Sequence, residues 1–96
     1  MSTTQLPSTA QVLINARKFE ATLRWSAAAK GKALTPDNIT WTNLNGRIPP
    51  SEVIGLHVKR PGIADAKRNF SVGFFMTYDD SSVQEALRQL QRDLKL

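Results

Sequence analysis

The chain contains no cysteine. A disulfide framework, a thiolate zinc site and a cysteine nucleophile are therefore excluded, and packing alone must hold the fold together. It has a single histidine, His57, which cannot build a metal centre by itself and is read as structural. Neither a G-x-G-x-x-G nor a G-K-[ST] loop is present to cradle phosphate, and no nucleophile, base and orienting group fall into a recognisable spacing. The expectation is a protein without enzymatic activity and without a cofactor or metal. No apolar run approaches the roughly 20 residues that span a bilayer, and residues 1–7 lack a basic segment followed by an apolar one. An intracellular location, nuclear or cytoplasmic, is expected.

What is there is a 96-residue chain of ordinary globular composition, 41% hydrophobic and 22% charged, with 13 Lys and Arg against 8 Asp and Glu. That length allows one domain. Residues 1–10 are polar and read as a flexible leader, leaving 11–96 as the domain.

Apolar residues first recur at alternate positions: Val12, Ile14 and Ala16, then, one residue out of step, Phe19, Ala21, Leu23, Trp25 and Ala27. This spacing predicts strands over 12–16 and 19–27 with a bulge near Arg17 and Lys18. Residues 28–32 read as a mobile basic loop and 35–38 as a tight turn. A strand over 39–42, an Asn-Gly turn within 43–46, an edge segment at 47–50 limited by Pro49 and Pro50, and a central strand over 53–58 follow. Phe70, Val72, Phe74, Met76 and Tyr78 share one face of a predicted strand over 70–78. Ser82 and Glu85 have capping-box spacing, and Val83, Ala86, Leu87, Leu90 and Leu94 form one helical stripe behind them. The pattern predicts an α+β fold, a bent antiparallel sheet or small barrel closed by one C-terminal amphipathic helix. Trp25 and Trp41 are expected in its core.

The excess charge is uneven. Residues 11–32 carry five basic groups and one acid, and residues 47–68 carry five and two. Lys59 and Arg60, with Lys67 and Arg68, flank one loop and would meet at the base of a hairpin. Together with Lys30 and Lys32 they make the candidate anion-binding surface, with a merely solvated surface as the alternative. Phe75, opposite the predicted core row and beside Gly73, is read either as an exposed contact aromatic or as covered. Asp79 and Asp80 fit a helix start better than acid–base chemistry.

The stretch Leu34-Thr-Pro-Asp-Asn-Ile-Thr-Trp, a turn, Ile48-Pro-Pro-Ser-Glu-Val-Ile-Gly-Leu, a strand containing Phe70-Ser-Val and a closing helix resemble a pleckstrin-homology-like domain. The resemblance runs from Phe19 to Leu94 and is similar to two branches: the N-terminal domain of the TFIIH core subunit and the domain preceding sphingosine and ceramide kinases. It implies a bent barrel plugged by one helix. The first branch implies docking of acidic segments from transcription and DNA-repair partners. The second implies binding of anionic phospholipid, for which the first loop offers Lys30-Gly31-Lys32. Nucleic-acid binding through phosphate contacts, or assembly into an oligomer through an open sheet edge, are further readings of the same charge and pattern.

Overall fold

The computed structural model describes residues 7–44 and 53–96. Residues 1–6 of the expected leader and the expected turn and edge segment over 45–50 lie outside the described residues. In chain order the elements are α1 (Pro7–Ala29), a 3-10 turn (Pro36–Asn38), β1 (Ile39–Thr42), β2 (Val53–Val58), β3 (Ala66–Ser71), α2 (Val72–Thr77) and α3 (Asp80–Asp93). The class is α+β with an antiparallel sheet.

The two strands expected over 12–16 and 19–27 are instead one 23-residue helix. Val12, Ala16, Phe19, Leu23 and Ala27 are buried, and their spacing of three or four residues is one side of an α-helix. Ile14, Ala21 and Trp25, which complete the apparent alternation, lie on the opposite side and are exposed. Alanine, leucine and straight-chain residues dominate the segment, Pro7 occupies the first position, and β-branched residues are few. The expected mobile loop at 28–32 is the end of this helix and its cap. Gly31 takes φ 72°, its amide donates to Ala28 O, and the Lys32 amide reaches back to Ala27 O at 2.9 Å. This pair of bonds satisfies the last carbonyls and needs a left-handed residue where glycine stands.

The predicted strand over 70–78 also changes character part-way. Strand β3 ends at Ser71, whose hydroxyl accepts the Phe74 amide and caps α2. Val72 and Phe75 then turn inward together, as residues three apart on a helix do. Phe75 is 0% exposed, so it is not a contact aromatic. Its ring packs 5.0 Å from Phe70 and 5.0 Å from Phe74, with Phe19 of α1 5.3 Å from Phe70. Asn15, the one buried polar residue among those described, donates from Nδ2 to Phe75 O at 2.6 Å, tying α1 to α2. Leaving either group unpaired in this apolar setting would be costly.

The described strands form an open three-stranded sheet in the order β1-β2-β3, both neighbours antiparallel. Ile39, Ile54, Leu56, Val58, Ala66 and Phe70 face the helices and are buried. Thr40, Thr42, Lys67 and Asn69 occupy the other face and are exposed. Helix α3 buries Val83, Ala86, Leu87 and Leu90, and Leu94 follows them inward, as its stripe predicts. Its cap is Asp79, however, not Ser82: the Asp79 carboxylate accepts the Ser82 amide at 3.1 Å and the Ser81 hydroxyl at 2.7 Å. An ionised acceptor three residues earlier takes the capping role, and Glu85 pairs with Arg88 instead. Trp41 is half-buried, 5.9 Å from Phe75, with its indole nitrogen donating to Glu20 Oε1 at 2.8 Å. Trp25 is 80% exposed, against expectation.

Candidate functional site

The expected cation cluster is taken apart by strand geometry and by helix capping. Lys67 pairs with His57 and Arg68 with Leu56 across the β2–β3 hairpin. Neighbouring residues on a strand point to opposite faces, so Lys67 lies on the open face and Arg68 on the covered one. The Arg68 guanidinium sits 5.4 Å over the Phe70 ring and donates through Nη1 to Gln89 of α3, while its Nε is buried without a partner among the described residues. Arg60 turns to the end of α3, where Nη1 donates to Leu94 O at 2.5 Å. Lys32 Nζ donates to Lys95 O at 2.7 Å. Both cations satisfy carbonyls that a helix terminus leaves open, at the negative end of its dipole. Lys30, Lys59 and Lys67 remain exposed, the last two on the hairpin and the first at the end of α1. His57 Nε2 lies 2.9 Å from Asp65 Oδ2 and holds the hairpin loop.

A different surface is left without an internal partner. Ile14, Ala21, Trp25 and Ala28 follow one another along the outer side of α1 at seven-, four- and three-residue steps, all exposed. From Ile14 to Ala28 this strip runs about 21 Å. Beside it, where α1 meets α3, lies a groove of about 880 Å³. Its apolar lining includes Ala21, Trp25, Leu34, Val83 and Leu87. A shallower depression bordered by Leu13, Ile14 and Arg17 shares Lys18 and Ala21 with the groove and extends it toward the helix start.

Polar groups border the groove unevenly. Lys18 and Arg24 stand on the α1 side, Arg24 with Nε held on Leu34 O at 3.3 Å. Glu20, the one acid in α1, is engaged elsewhere, accepting from Arg17 at 3.1 Å and from Trp41. Tyr78, Asp80 and Gln84 stand on the α3 side. Tyr78 ends α2 in the left-handed region, φ 48° and ψ 49°, where glycine is the usual occupant. Burial pushes its phenol above the ordinary value, so the hydroxyl stays protonated and able to donate at neutral pH. Among the described residues no group of three or more His, Asp or Glu side chains converges as a metal site, and no helix is long and apolar enough to cross a membrane.

Of the sequence-predicted residues, the basic character of 11–32 bears on this groove through Lys18 and Arg24, and Asp80, Val83 and Leu87 line its other side. Trp25 stands on the surface and not in the expected core, and Tyr78, expected on one face of a strand over 70–78, is instead the left-handed cap of α2. The clue to both was the run of apolar residues on either side of a helical, not strand, period. Comparison with protein-family models, curated proteins and solved structures gives no match.

Proposed function

We propose that this chain is a non-enzymatic interaction module that docks an acidic, amphipathic helix of a partner protein on the outer face of α1 and in the α1–α3 groove. The observation that carries the reading is Trp25, 80% exposed at the edge of an apolar groove on the most basic segment of the chain. A large aromatic held out in water beside an apolar recess is the usual anchor of a protein interface. The α1 segment adds charge complementarity: Lys18 and Arg24 border the groove, and the segment's one acid, Glu20, is already paired with Arg17. A helix laid in such a groove presents apolar residues three and four positions apart, a spacing that the strip on α1 matches. Acidic segments of partners in transcription and repair, which the pleckstrin-homology-like resemblance implies, are one source of such helices.

The test is fluorescence anisotropy with a labelled acidic amphipathic peptide. Binding is expected to weaken as salt rises, Trp25→Ala to lower affinity by about 30-fold, and Lys18→Glu by about fivefold. Lys59→Glu and Lys67→Glu, on the distant hairpin, are expected to leave affinity unchanged. Equal affinity for wild type and Trp25→Ala, with both folded, would remove the reading. Co-sedimentation with vesicles containing phosphatidylserine supplies the other arm: retention on vesicles without peptide binding would transfer the same face to an anionic membrane surface.

A further inference from the structure

The two sides of the groove differ in charge. Lys18 and Arg24 border it on α1, whereas Asp80 is its charged residue on α3, flanked by neutral Gln84 and Tyr78. The cations of α3 do not offset Asp80: Arg88 is paired with Glu85, and Arg92 lies with it beside a separate depression that Leu96 completes. We propose that this asymmetry selects a helix whose own flanks differ in sign, carboxylates on the flank meeting α1 and Lys or Arg on the flank meeting Asp80, and so fixes the direction in which it docks. The inference rests on the docking reading above and deepens it.

The geometry carries the argument. A helix that keeps its apolar face toward the groove exchanges its flanks when its direction is reversed. One direction then sets carboxylates against Lys18 and Arg24. The other sets them against Asp80 while turning the partner's cations onto Lys18. Like charges brought together at a closing interface reject the wrong arrangement more strongly than the right arrangement is rewarded. Tyr78 reinforces the α3 side. The chain keeps an aromatic residue in a left-handed conformation where glycine would cap α2 with less strain, and that residue forms part of the groove wall. Its neutral hydroxyl oxygen can accept a hydrogen bond from the Lys or Arg that a basic flank presents, without adding charge.

Two synthetic helical peptides of about 14 residues, matched to the length of the strip, make the test. They share composition and net negative charge; one has Glu on one flank and Lys on the other, and the second has both mixed on each flank. Wild-type protein is expected to prefer the segregated peptide by about tenfold. Asp80→Lys is expected to remove most of that preference, and Asp80→Asn, which keeps the side-chain shape, about half of it. Thermal melting of each variant confirms that it is folded. Equal affinity for the two peptides, or a preference that Asp80→Lys leaves intact, overturns the inference while the docking reading stands. Failure of both peptides to bind removes the docking reading, and the inference falls with it.

Discussion

Helix α3 keeps its apolar residues on one face, and helix α1 carries them on two. In α3, Val83, Ala86, Leu87 and Leu90 are buried while Gln84, Glu85, Arg88 and Arg92 are exposed. In α1, Phe19 and Leu23 are buried on one side while Ile14 and Trp25 are exposed on the other. A helix whose polar face is complete has only the core to satisfy. One with a second apolar face has solvent-exposed surface that folding does not use, and that surplus is the surface on which the docking proposal rests. The sharpest test of the contrast compares the two faces directly. Phe19→Ala is expected to cost about 3–5 kcal/mol, because it opens a cavity among Phe70, Phe74 and Phe75. Against the about 5–15 kcal/mol that holds a small domain, that loss takes much of the margin. Trp25→Ala is expected to fall within about 0.5 kcal/mol of wild type in urea unfolding while lowering peptide affinity by about 30-fold. In α3 the same pair, Leu90→Ala and Arg92→Ala, is expected to give a loss of about 2–5 kcal/mol inside and no change in either property outside. A large stability loss in Trp25→Ala would show that the second face of α1 belongs to the core.

A smaller effect separates how the two helices are attached. Helix α3 is anchored by its apolar stripe and by part-buried hydrogen bonds, from Arg68 to Gln89 and from Gln91 to Ser26. Helix α1 carries a buried amide, Asn15, whose Nδ2 donates to Phe75 O. Asn15→Ala removes a donor and leaves a buried carbonyl unsatisfied, with an expected cost of about 1–3 kcal/mol in chemical denaturation. Asn15→Leu, which fills the space but cannot donate, is expected to recover little of it. Recovery to wild-type stability would mean that packing, not the hydrogen bond, fixes α1 against α2.

The same contrast explains what could be read from the sequence. The α3 stripe was legible because polar residues separate its apolar ones at a single period. The strands over 39–42 and 53–58 were legible because β-branched residues and flanking turns bound them. In α1, apolar residues on two opposite faces summed to an apparent alternation, so a helix imitated two strands. Over 70–78 the run Phe70, Val72, Phe74, Met76, Tyr78 alternates faultlessly, yet Ser71 caps a helix inside it. The choice was made by burial of Val72 and Phe75 together, a tertiary preference that local pattern does not carry. The cation cluster failed for a related reason. Basic residues adjacent in sequence at a hairpin base point to opposite faces, and Lys32 and Arg60 were drawn to the carbonyl end of a helix far along the chain. The groove was invisible until α1 was known to be helical.

The weakest expected effect concerns how the two helices begin. Helix α1 opens on Pro7 without an acid in its first turn. Helix α3 opens on Asp79, whose carboxyl is held below its ordinary value of 3.8 by the Ser81 hydroxyl first and then by the Ser82 amide and hydroxyl. Glu85 is likewise held below 4.5, chiefly by its hydrogen bond to Arg88 and by that residue's charge. A carboxyl depressed in the folded state binds fewer protons there than in the unfolded chain. Its contribution is therefore complete above the ordinary values and is lost as pH falls from there through the folded ones. Both groups are fully exposed, so solvent screening keeps the effect small. Unfolding followed from pH 6 downward is expected to show an acid limb that begins near pH 4. Asp79→Asn keeps an N-cap acceptor that does not titrate, so stability at pH 6 should stay close to wild type while the limb becomes shallower. Asp79→Ala should instead lower the melting midpoint at pH 6 and flatten the limb, because cap and titration are lost together. An unaltered limb in Asp79→Asn would place the acid sensitivity elsewhere, while the Asp79 cap on the Ser82 amide would stand.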